Sequence, residues 1–230
     1  PEVGQSWNGA TLPWGIISIT TPDGRYIQYD RDEKGLIQVA TETLPNGSQS
    51  IWHFDYDPFG NMSVQRLLAG AVPDDAKDQV RSWDYDLHGN VEYYREGLNA
   101  TQWRYFYTAR GDVKEIISPK GKHWYFYYNG KGKLTRMVAP NGYELNYSYT
   151  KRGLVKQLSE KYQTGTVAVT RYFYNHRGLV TKIIDPLNKE WSYSYTGSDD
   201  LRVETDPLGK KRTFQYDPKG RVISVVDDSG

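Results

Sequence analysis

Apolar and polar residues alternate with a period of two along most of the chain. In Trp52-His53-Phe54-Asp55-Tyr56 the aromatic rings fall on one side of an extended strand and the polar groups on the other. The same pattern returns before a series of tyrosines. Two residues ahead of each stands Phe54, Trp83, Tyr105, Phe126, Tyr147, Tyr172, Tyr193 or Phe214, with Ile27 in the first case. Four residues ahead, four units carry Trp52, Trp103, Trp124 and Trp191. The intervening slots are mostly polar, but Phe106, Tyr125, Tyr127 and Phe173 break that rule. No window sustains an i, i+3, i+4, i+7 apolar stripe, so the pattern predicts strands and no helices.

Each alternating strand ends in a turn signal. Tyr56-Asp57 leads to Gly60, Tyr85-Asp86 to Gly89, Tyr107 to Gly111 and Tyr128 to Gly132. Tyr149 leads to Gly153, Tyr174 to Gly178 and Tyr216-Asp217 to Gly220. Tyr29-Asp30 reaches Gly35 with extra residues between, and Tyr195 has its glycine displaced to Gly197. These make nine units, and the spacings of 27, 29, 22, 21, 21, 25, 21 and 21 residues set a period near 21. Asp-Pro-x-Gly fits a type I turn, with Asp accepting from the backbone, Pro pre-setting φ and Gly taking the left-handed position. A short apolar strand follows each glycine, then a second turn such as Pro140-Asn141-Gly142 or Asp206-Pro207-Leu208-Gly209. Two stretches depart from the pattern. A loop replaces the second turn between Ala69 and Val80, and Tyr162 to Val167 lengthens another. The prediction is an all-β repeat array of antiparallel β-hairpins over residues 21–230, forming one continuous curved or spiralling sheet. Residues 1–20, with Trp7 and Trp14, form a partial or capping unit. The alternative is a β-propeller with two hairpins per blade.

Composition narrows the function. The 29 basic and 28 acidic side chains give a net charge of +1, which argues against nucleic acid as a partner. There is no cysteine and there are four histidines, little material for a metal centre or a thiol nucleophile. No apolar run has the ~18 residues of a membrane span. The chain begins at Pro1 with no export signal and reads as an excised piece. Charge is uneven: residues 1–101 hold 7 basic and 15 acidic groups, residues 102–230 hold 22 and 13. Opposite potentials at the two ends, and bare sheet edges, would favour end-to-end self-association.

The Tyr-Asp-x-x-Gly signature, apolar strand and Asp-Pro-x-Gly turn on a 21-residue period resemble the YD repeat of Rhs proteins. The same repeat builds the C component of insecticidal Tc toxins and the large extracellular domain of teneurins. The resemblance implies a hollow shell that encapsulates a toxin cargo, a secreted or delivered location, and as partners the cargo and the remaining repeats of a larger parent. Nine hairpins give a ribbon roughly 85 Å along the sheet and ~25 Å wide, enough for a segment of shell wall. The alternative is an extracellular module that recognises glycans or a protein.

Candidate chemistry is sparse, and no catalytic, cofactor or metal residue is predicted. The family's self-cleaving shells carry paired aspartates beside a Pro-x-x-x-x-Asp-Pro-x-Gly-Leu signature. Asp206 sits in a similar string, but Lys210 replaces the final Leu and Leu201 the leading Pro, so Asp206 is read as a turn residue. His53, His88, His123 and His176 fall in different repeats, and Ser192 and Ser194 read as strand serines. Trp52, Trp103, Trp124 and Trp191 are predicted to form a ladder between hairpins, with a sugar-stacking platform as the alternative.

Overall fold

The computed structural model describes residues 17–70, 74, 77–97 and 100–228. Most of the expected capping unit, with Trp7 and Trp14, lies outside these residues. The chain divides into two compact units, residues 1–122 and 123–230. Every regular element described is a strand.

The first unit holds β1 (Ser18–Thr20), β2 (Tyr26–Arg31), β3 (Ile37–Thr43), β4 (Gln49–Tyr56), β5 (Met62–Leu67), β6 (Gln79–Tyr85), β7 (Val91–Glu96), β8 (Gln102–Tyr107) and β9 (Val113–Ile117). The second holds β10 (His123–Tyr128), β11 (Leu134–Val138), β12 (Glu144–Tyr149), β13 (Val155–Lys161), β14 (Val167–Tyr174), β15 (Val180–Ile184), β16 (Glu190–Tyr195), β17 (Leu201–Thr205), β18 (Lys211–Tyr216) and β19 (Val222–Asp227). Within each unit every strand pairs antiparallel with the next in sequence. A propeller would break its sheet after every fourth strand. Neither unit does so, and the propeller alternative falls.

One five-residue turn recurs along the described chain, with a longer connection between β5 and β6. At Asp57-Pro58-Phe59-Gly60-Asn61 the Asp57 amide donates to the Asn61 carbonyl at 2.8 Å and the Gly60 amide to the Asp57 carbonyl at 3.0 Å. Gly60 has φ +90°, the left-handed conformation in which a side chain would strain the backbone. The Asp57 carboxylate accepts from the amides of Phe59 at 2.9 Å and Asn61 at 2.8 Å. Just before eight of the nine signature tyrosines the ladder slips by one residue, as between Asp55 and Tyr56 and between Phe173 and Tyr174. This bulge marks the start of each unit.

The structure corrects three readings of detail. In the first unit the ladder slips between Asp30 and Arg31, and Asp32 makes the turn bonds to Gly35 and Leu36. Arg31 and Asp32 therefore fill the signature slots, while Asp30 is a strand residue opposite Val39 and Tyr29 lies one slot earlier on the aromatic face. In the turn after Tyr195 no glycine is displaced: Asp199 itself takes the left-handed position, at φ 71°. Between Tyr162 and Thr166 the turn has its ordinary five residues, and the extra length goes into the paired strands β13 and β14.

The two faces of the ribbon differ as the alternation predicts. On β14, Tyr172 and Tyr174 are half-buried, whereas Arg171 and Phe173 are exposed. Among the described residues Ala40 and Val80 are the buried apolar ones, and no side chain is fully buried. Stability therefore rests on contacts between neighbouring hairpins, as in other repeat arrays.

Candidate functional site

The signature tyrosines form one recurring device. Each ladder between successive hairpins ends two residues short of the turn; for β13 and β14 its last pair is Gln157 and Arg171. That leaves the Val155 carbonyl beyond the ladder, where it needs another donor. The Tyr174 hydroxyl supplies it, donating at 2.7 Å. The same clasp joins Tyr56 to Ile37 O, Tyr85 to Met62 O, Tyr107 to Val91 O, Tyr149 to Leu134 O, Tyr195 to Val180 O and Tyr216 to Leu201 O, at 2.5–2.8 Å. Burial raises the hydroxyl pKa of Tyr56, Tyr85, Tyr107, Tyr149, Tyr174 and Tyr195 above the ordinary tyrosine value. The sequence shows the tyrosines but not the acceptor, which lies 15 to 23 residues away in these pairs.

The turns carry a second set of bonds. Asn61 and Asn90 side-chain amides, with backbone amides, hold the carboxyls of Asp57 and Asp86 below the usual range. Asp217 is lowered by the backbone and side chain of Arg221. Along one edge, the Arg152 guanidinium reaches the next hairpin turn, donating to the carbonyls of Asn175 at 3.3 Å and His176 at 2.6 Å. Arg177 does the same to Gly197 O at 2.8 Å and Asp199 Oδ1 at 2.6 Å. Gly89, Gly111, Gly132, Gly153, Gly178 and Gly220 all sit in turns with positive φ.

All four candidate tryptophans are half-buried. Trp52 lies in register with Ala40 and Leu67, Trp103 with Tyr94, and Trp191 with Ile183. Trp52, Trp103 and Trp191 thus stand opposite aliphatic or tyrosine residues on adjoining strands. Trp83 adds a ring contact with Tyr94 at 5.7 Å.

The remaining candidates scatter. His88 and His176 are exposed in turns, His53 lies on β4, and His123 is 3.3 Å from the Tyr125 hydroxyl. Asp206 Oδ1 accepts from Leu208 and Lys210 amides at 2.8 and 2.9 Å, the turn role read for it. Ser192 faces Lys182 and Thr205. No group of three residues able to hold a metal ion occurs among the described residues. No helix there is long and apolar enough to cross a membrane.

The polar face carries aromatic rings among its charges. Where the alternation breaks, cations stack on the intruding rings. Arg104 lies 4.5 Å from the Phe106 centroid and 5.2 Å from Tyr93, Arg136 lies 5.4 Å from Tyr127, and Lys182 lies 4.8 Å from Phe173. Two grooves open beside these rings, at equivalent places in two different hairpin pairs. One, of about 750 Å³, is lined by Asp86, His88, Glu92, Phe106, Tyr107 and Arg110 among others. The other, of about 290 Å³, is lined by Arg152, Leu154, Lys156, Gln157, Arg171 and Phe173 among others.

Residues 69–165 match the family described as teneurin YD-shell, and residues 195–230 match the RHS repeat. No curated protein matches the chain. Among solved structures, TcdB2-TccC3 without its hypervariable C-terminal region superposes with a TM-score of 0.74 at 14% identity, over 93% of this chain and 12% of that one. The Photorhabdus luminescens Tc holotoxin pore gives 0.65 at 13% identity, over 92% of this chain and 14% of that one. At such identities the likeness is one of fold, and the chain spans a small part of the length of these proteins.

Proposed function

We propose that this chain is a non-catalytic segment of an Rhs-type shell wall, within a larger parent that encloses a toxic polypeptide and delivers it outside the producing cell. The observation that carries this reading is the clasp. Among the described residues, tyrosine hydroxyls close the gaps between hairpins at one repeated place in at least seven pairs, which suits a sheet built for continuity rather than for a reaction centre. The RHS-repeat match and the Tc toxin neighbours support it. The partners in this reading are the neighbouring repeats and the cargo. The outer edge of β19, where Val222, Ile223, Val225 and Val226 are more than half exposed, suits pairing with a further strand of the parent or of a second copy. Protease protection in the parent protein tests the reading. The cargo should resist digestion, and Phe at the clasp tyrosines should make it sensitive. A cargo digested equally fast in both forms, or a hydrolase activity lost with one Asp or His substitution, would refute it.

A second reading, recognition of a glycan, is favoured by the larger groove, where Phe106 and Tyr107 stand beside Asp86, Asn90 and Glu92. Rings flanked by carboxylate and amide groups suit a sugar's apolar face and hydroxyls. Binding on a glycan array that Phe106→Ser abolishes, with the fold intact, would promote it.

A further inference from the structure

The smaller groove has a chemistry that neither a wall nor a sugar site requires. In β4 and β6 the slot before the signature tyrosine holds Asp55 and Asp84, which ion-pair with Arg66 at 2.5 Å and Arg95 at 2.7 Å on the following strand. In β14 that slot holds Phe173, with 42% of its surface exposed. The groove beside it is lined by three cations, Arg152, Lys156 and Arg171, and by no carboxylate. Arg152 is fixed by its bonds to the Asn175 and His176 carbonyls. Lys156 and Arg171 are exposed, and neither has an ion-pair partner among the described residues. Lys182 stands over the Phe173 ring and pairs outward with Glu190 at 3.3 Å. In β14 a ring thus takes the slot that an acid holds in β4 and β6.

We propose that the groove between β13 and β14 docks an extended acidic polypeptide segment. Arg171 presents a planar fork that fits a carboxylate through two parallel bonds, and Lys156 supplies a second, mobile charge. Leu154 and Phe173 give apolar contact to the chain between its acidic side chains. The groove is open, so a free ion there keeps most of its water and is held weakly. A chain that meets Arg171, Lys156 and the ring together gains from each attachment after the first. Unlike the groove at Phe106, which contains Asp86 and Glu92, this one has nothing to repel an acidic guest. The inference stands on the groove alone and does not require the chain to wall a shell.

The test is fluorescence anisotropy of the whole chain with a short labelled peptide alternating Glu and Ser. The same peptide with Gln for Glu is the neutral control. The Glu peptide should bind and the Gln peptide should not. Lys156→Glu and Arg171→Glu should each weaken binding about tenfold, the loss of one charged hydrogen-bond contact. Phe173→Ser should also weaken it, and it serves as the decisive variant if a charge reversal fails to fold by circular dichroism. Lys219→Glu, which makes the same change of net charge in a distant exposed turn, should leave binding nearly unchanged. Equal weakening by Lys219→Glu and Lys156→Glu would overturn the proposal in favour of unspecific attraction. Equal binding of the Gln peptide would overturn it too. Full displacement by inorganic phosphate at matched charge would assign the site to small anions instead.

Discussion

Replacing Tyr174 with Phe removes one oxygen and keeps the ring, so it isolates the clasp. The Tyr174 hydroxyl donates to Val155 O at 2.7 Å, and that carbonyl lies past the last ladder pair of β13 and β14. Both residues are half-buried, so water replaces the lost donor only in part. The expected cost is about 1 kcal/mol, the net worth of one such bond. Urea unfolding followed by tryptophan fluorescence should show the midpoint falling at unchanged slope. Tyr172→Phe is the control: it lies two residues earlier on the same face, and no hydrogen bond of its hydroxyl is found among the described residues. The clasps lie in different hairpins, so their costs should add. Phe at all seven would remove about 7 kcal/mol, comparable with the whole stability of a typical domain.

Proton linkage gives the clasp an independent signature. Burial raises the pKa of six clasp tyrosines, so the folded chain keeps protons that the unfolded chain has released above pH ~10. Their contribution is fully present below that pH and is lost as pH rises through the higher folded values. Tyr174→Phe should remove one proton from this alkaline slope. An unchanged midpoint for Tyr174→Phe, or an equal loss for Tyr172→Phe, would refute the clasp.

The other predictions concern the turns and rings. Gly60→Ala should cost about 1–2 kcal/mol, because φ +90° forces a Cβ into the left-handed region; a neutral result would mean that the turn relaxes freely. Trp52→Ala should cost ~3 kcal/mol, the low end for aromatic truncation in view of its half-burial, and should expose the hairpins around Ala40 and Leu67 to hydrogen exchange first. Acidification should loosen the turns at Asp57, Asp86 and Asp217. Their stabilisation is present above the ordinary carboxyl pKa and lost as pH falls through their lowered folded values, which Asn in place of Asp57 should blunt locally.

The amino-acid sequence by itself determined the faces and the punctuation. A period of two can place Phe54 and Tyr56 together only on one side of a strand, and the signature glycines mark left-handed positions where a Cβ strains the backbone. These are local constraints, and they hold wherever the strand ends up. Register is different. Tyr29-Asp30 copies the signature, yet the turn forms on Asp32, because the bulge settles where the β2–β3 ladder places it. Asp199 enters the left-handed region although Gly197 stands nearby, because the bond from its amide to Thr196 O fixes which residue comes fourth in the turn. The break at Phe173 was visible in the alternation, but its meaning was not. Lys156 and Arg171 come together only when β13 and β14 pair, and Val155 O needs Tyr174 only because that pairing stops at Gln157. Side-chain identity is local information, whereas the partner of a hydroxyl or a cation depends on the register of the neighbouring strand, which only the assembled sheet decides.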